Sequence, residues 1–63
     1  MRNGANIRIE REKAGLSQEQ LAAKIHITQQ QLNLYECDLE EMSVTRLQEI
    51  AEKLRIPVAN LLR

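Results

Sequence analysis

Apolar positions along this 63-residue chain recur at intervals of three and four, and no stretch alternates as a half-buried strand would. The pattern predicts about five short helices. The first is expected from Asn3 or Gly4 to Lys13, with Ile7, Arg11 and Ala14 on one stripe. Gly15 supplies its stop, because glycine accepts a left-handed conformation, and Leu16 is expected to anchor the loop. The run Ser17-Gln18-Glu19-Gln20 fits a capping box that opens a second helix. That helix buries Leu21, Ala22 and Ile25 and stops near His26 and Ile27. Thr28-Gln29-Gln30-Gln31 repeats the capping-box pattern and opens a third. At about 100° per residue, Leu32 and Tyr35 turn inward, Gln30, Asn33 and Leu34 turn outward with Gln29 at their edge, and Gln31 lies on a flank. Ser43 or Thr45 can cap a fourth helix presenting Leu47, Ile50, Ala51 and Leu54, and Pro57 suits the first turn of a fifth bearing Val58, Leu61 and Leu62.

Composition narrows the classes. The apolar fraction is that of a globular domain, and no repeat, linker or second domain interrupts the chain, so one all-α domain over 1–63 is expected. No apolar run approaches the length that spans a membrane, and Met1, Arg2, Asn3 and Gly4 are not followed by a signal-type core; a soluble, cytosolic protein is the expectation. Cys37 and His26 each occur alone, which makes neither a disulfide nor a metal site, and Cys37 reads as a turn residue near the surface. Without a nucleophile–His–acid set or a glycine-rich phosphate loop, catalysis and a small-molecule cofactor are not expected. The formal net charge is zero, whereas nucleic-acid binders are usually basic.

Two helices separated by little more than His26 and Ile27 form a helix-turn-helix. The segments GLSQEQLAAKI (15–25), ITQQQLNLYE (27–36) and SVTRLQEIAEKLRIPVANLL (43–62) resemble the lambda-repressor-like (Cro/CI, XRE) helix-turn-helix family, over nearly the entire chain from about Ile7 to Leu62. The resemblance implies a compact five-helix DNA-binding domain in which 28–36 is the recognition helix, lying in the major groove of double-stranded DNA. By that resemblance Gln29, Gln30 and Asn33 map onto base-reading positions. A Gln carboxamide sets a donor beside an acceptor, as the N6/N7 edge of adenine requires. Leu34 maps onto another groove-facing position, with a thymine methyl as its natural contact; the alternatives are packing against a dimer or protein partner, or an isolated exposed apolar residue. Gln18, with Thr28, Ser43 and Arg46, is implied in phosphate contact. Arg11 and Glu36 match a structural ion pair of the family, and such a pair would explain an inward-facing carboxylate.

The chain departs from the family in three places. His26 stands where a tight-turn glycine is common, so a positive φ there would be strained. The segment after Glu36 is acidic (Asp38, Glu40, Glu41) where the family usually has a glycine and basic residues, and Met42 replaces the usual proline. The recognition helix carries no Lys or Arg. Random DNA should therefore be bound poorly, and specific binding should depend on hydrogen bonds and on a symmetric dimer over an inverted repeat. Val58, Leu61 and Leu62 are the candidates for the dimer surface, with closure of the monomer core as their plainer role. The expected function is that of a sequence-specific transcriptional repressor. The alternative is a protein-interaction module such as an antitoxin, gripping a basic partner with loop 38–41.

Overall fold

The computed structural model describes residues 3–63, so Met1 and Arg2 of the expected domain lie outside the described residues. Helix α1 spans Gly4–Lys13, α2 Gln18–Lys24, α3 Gln29–Glu36 and α4 Val44–Leu54, followed by a 3-10 turn at Val58–Leu61. Ile7, Leu21, Ala22, Ile25, Leu32, Leu47, Ile50, Ala51, Leu54 and Leu61 form the buried core, with Leu16, Ile27, Met42, Ile56 and Val58 packed around it. Helix α3 packs against both α1 and α2, while the 3-10 turn closes the far side against α1 and α4. No helix among the described residues is long and apolar enough to cross a membrane.

Two expectations about elements need correction. The fifth helix is a single 3-10 turn: its bonds run three residues back, Asn60 N–H to Pro57 O at 3.0 Å and Leu62 N–H to Ala59 O at 3.1 Å. Pro57 is its N-cap, outside the first turn. The inner stripe of α1 is Gly4, Ile7, Glu10 and Arg11; Ala14 is the exposed C-cap, because the helix stops before another turn is complete.

All four α-helices end alike. A left-handed residue lies one or two positions past each end, and its N–H and that of the next residue return to the last turn, which is the Schellman arrangement. The left-handed residues are Gly15 (φ 74°), His26 (60°), Asp38 (59°) and Arg55 (58°). The paired bonds are Gly15 to Glu12 and Leu16 to Arg11, His26 to Ala23 and Ile27 to Ala22, Asp38 to Tyr35 and Leu39 to Leu34, and Arg55 to Glu52 and Ile56 to Ala51. An apolar residue follows each left-handed one, and three of these (Leu16, Ile27, Ile56) reach the core.

A side chain in that conformation costs about 1–2 kcal/mol, partly balanced by the entropy glycine would lose on folding. His26→Gly is therefore expected to raise stability by about 0.5–1 kcal/mol and the melting temperature by a few degrees. Thermal unfolding followed by circular dichroism measures this; an unchanged or lower midpoint would contradict it.

Candidate nucleic-acid interface

The junction of α2 and α3 is built by its caps. Ser17 Oγ accepts from Gln20 N–H at 3.0 Å while Gln20 Oε1 accepts from Ser17 N–H at 2.8 Å, so the first capping box is complete. At the second, Thr28 Oγ1 accepts from Gln31 N–H at 3.0 Å, but the Gln31 side chain turns away and donates to the Glu40 carboxylate. The reciprocal half of the predicted box is thus absent. An anionic acceptor makes the stronger hydrogen bond and draws the amide off its own helix.

Between these caps α3 is fixed with one face outward. Leu32 is fully buried, Tyr35 and Leu34 are half-buried, and Gln29, Gln30 and Asn33 are exposed on the side away from the core. The C-terminal end of the helix is held by a buried ion pair. Arg11 Nε donates to Glu36 Oε2 at 2.7 Å, and Arg11 Nη2 to Glu36 Oε1 at 3.1 Å. The same guanidinium donates through Nη1 to Leu16 O at 2.8 Å, tying α1 to the loop before α2. Three elements meet at this guanidinium.

Gln18 joins the network from the start of α2. Its Nε2 donates to Glu36 Oε1 at 3.0 Å and to Asn33 Oδ1 at 3.1 Å. Both N–H groups of this carboxamide, the residue that the resemblance assigns to a phosphate, are therefore engaged within the chain. The other three residues assigned to phosphates keep free donors. Thr28 and Ser43 each accept a cap bond, from Gln31 N–H and Arg46 N–H respectively, and retain their hydroxyl protons. Arg46 donates through Nη1 to Ile25 O at 3.2 Å and lies 3.7 Å from Glu49, which leaves other guanidinium N–H groups available.

Three structural roles escaped the sequence reading. Gly4 lies against the end of α3, where a Cβ would stand 2.4 Å from the carbonyl oxygens of both Tyr35 and Glu36. Its place three residues before Ile7, on the buried stripe of α1, was the available signal. Asp38 Oδ1 accepts from Gly4 N–H at 3.0 Å, which puts a carboxylate at the positive end of the α1 dipole. Asn6 Nδ2 donates to Leu61 O at 3.3 Å and Arg63 O at 2.9 Å, fastening the C-terminal segment to α1. Of the three candidates for a dimer surface, Leu61 is fully buried, Val58 is half-buried, and Leu62 remains 44% exposed. Cys37 is the exposed C-cap of α3.

A helix-turn-helix family model matches residues 7–61. Two curated relatives, from Sinorhizobium medicae (strain WSM419) and Rhizobium meliloti (strain 1021), are each described as an uncharacterized HTH-type transcriptional regulator. Each is 39% identical to this chain over 56 residues, which is 89% of this chain and 40% of the relative. The chain thus spans about two fifths of the length of the curated relatives it matches.

Proposed function

We propose, on the premise that the chain belongs to the Cro/CI-type (XRE) helix-turn-helix family, that it is a DNA-binding transcriptional regulator of the repressor kind. Helix α3 enters the major groove, and a dimer occupies an inverted repeat. The observation that carries this reading is the exposed row Gln29, Gln30 and Asn33 on a helix whose opposite face is fixed by Leu32 and by the Arg11–Glu36 pair. Gln29 and Gln30 supply the paired donor and acceptor that adenine's N6 and N7 require, and Leu34 adds apolar contact. Thr28, Ser43 and Arg46 position the domain on phosphates. Leu62 is the exposed apolar residue through which the C-terminal end joins a second copy. The competing protein-binding role for loop 38–41 is less well supported, because Asp38 and Glu40 each accept a hydrogen bond from their own chain.

The test is selection from a randomised duplex pool at low and moderate salt. An inverted repeat should be enriched. The combined variant Gln29→Ala, Gln30→Ala should bind it roughly thirtyfold more weakly per half-site, hence about a thousandfold for the dimer, at about 1 kcal/mol per lost bidentate pair, with unfolding unchanged. Absence of enrichment at every salt concentration, with the domain folded, would defeat this reading.

A further inference from the structure

The inner network dictates the chemical sense of one outward-facing group. Glu36, held by Arg11 at 2.7 and 3.1 Å, offers acceptors only. Gln18 must therefore turn its NH2 end toward Glu36 Oε1, 3.0 Å away, and its second N–H then points at Asn33, 3.1 Å away. The atom of Asn33 that receives this bond has to be Oδ1. The Cys37 thiol approaches the same oxygen at 3.8 Å, a second and weaker donor. With its carbonyl engaged from within, Asn33 presents its Nδ2 donors outward from an exposed position. The sequence of constraints runs from a buried carboxylate to a surface amide without an alternative assignment of either amide.

We propose that Gln18 is a positioning residue that makes Asn33 a donor-only reader, selecting the acceptor edge of guanine (O6 and N7) over adenine. This rests on the DNA reading above and adds a base preference to it. An asparagine free to turn pairs bidentately with adenine, matching its N6 donor and N7 acceptor. Here the oxygen needed for N6 already faces two donors of its own chain, Gln18 Nε2 at 3.1 Å and the Cys37 thiol at 3.8 Å, one for each of its lone pairs. Opposite adenine one donor of the base would be left unpaired, whereas guanine offers two acceptors side by side. Gln18 thus acts on the base through Asn33 and Glu36, and the three residues lie on α2 and α3, whose relative placement the Arg11 pair secures.

The experiment compares pool selections for the unmodified domain, Asn33→Ala, Gln18→Met and Asn33→Asp, each checked for folding by thermal unfolding. Asn33→Ala identifies the base position that depends on Asn33. There the unmodified domain should prefer guanine. In Gln18→Met the guanine-to-adenine ratio should fall about fivefold or more, while positions read by Gln29 and Gln30 keep their preferences, an outcome that loss of stability alone would not give. Asn33→Asp replaces the outward donors with acceptors and should shift the preference on the same strand to cytosine, whose N4 amine donates. If Gln18→Met fails to fold, Gln18→Ala, which also removes the N–H donors, takes its place with the same expected fall. Adenine at the Asn33-dependent position in the unmodified domain overturns the proposal, as does an unchanged ratio in folded Gln18→Met. If no sequence is enriched by any of the folded proteins, DNA reading itself fails and this assignment falls with it, a result distinct from enrichment of the wrong base.

Discussion

Glu36→Ala is expected to destabilise the domain by about 3–5 kcal/mol, a large share of all the stability it has. A chain of this length has roughly 3–9 kcal/mol of stability in total. The Glu36 side chain is 2% exposed and that of Arg11 10%. Removing the carboxylate would leave a guanidinium inside the fold with only the Leu16 carbonyl as partner and would also orphan an N–H of Gln18. The cost lies mostly in the stranded charge, since desolvation offsets much of the attraction within an intact buried pair. Replacing both partners, as Arg11→Met with Glu36→Leu, should therefore recover a large part of what either single change loses. Urea unfolding of the two singles and the double gives the coupling directly. Additive losses, or a Glu36→Ala cost below about 1 kcal/mol, would mean that the pair does not hold α1 to α3.

Gly4→Ala should lower stability by about 1–3 kcal/mol through overpacking, although alanine is the better helix former by about 1 kcal/mol. The sign is decided by what the new methyl meets. Two backbone carbonyl oxygens stand 2.4 Å from its position, and backbone cannot swing aside as a flexible side chain can. Accommodating the methyl requires α1 to back away from the end of α3, which also strains the Asp38 carboxylate's bond to Gly4 N–H and the Arg11–Glu36 pair one helical turn or two along. Gly4→Val should be worse. Unfolding midpoints by circular dichroism test this, and a rise in stability for Gly4→Ala would show that the close approach does not exist.

The helices were legible where their signals were local. Ser17, Thr28 and Ser43 each stand three residues before the amide that their side chain caps, and each opens a helix where the pattern placed one. The inward positions Leu21, Leu32, Leu47, Ile50 and Leu54 followed from spacing alone, and all are buried. Helix ends carry a local signal too, plainest at Gly15-Leu16. The same pairing of a left-handed residue with a following apolar one recurs at His26-Ile27, Asp38-Leu39 and Arg55-Ile56, disguised because the first residue is not glycine. Choices between competing long-range partners were not legible. Gln31 could have closed its own cap, and Glu40, nine residues away, took it instead. Gln18 was identified as important, yet its orientation depends on Glu36, eighteen residues on. The last element is shorter than its sequence suggests, because Pro57 marks a helix start without setting how many turns follow.

Helix α3 carries no basic side chain, and the domain as a whole is electrically neutral. On the proposed operator this bears on search more than on final affinity. A strongly basic protein lands anywhere on DNA and slides, because its grip on the backbone survives every change of sequence. Without that grip, this domain would find its site by repeated three-dimensional collisions. Its association rate would sit near the unsteered 10⁵–10⁷ M⁻¹s⁻¹, roughly, and change little with salt. Occupancy would then be governed by how long the glutamine contacts hold once made.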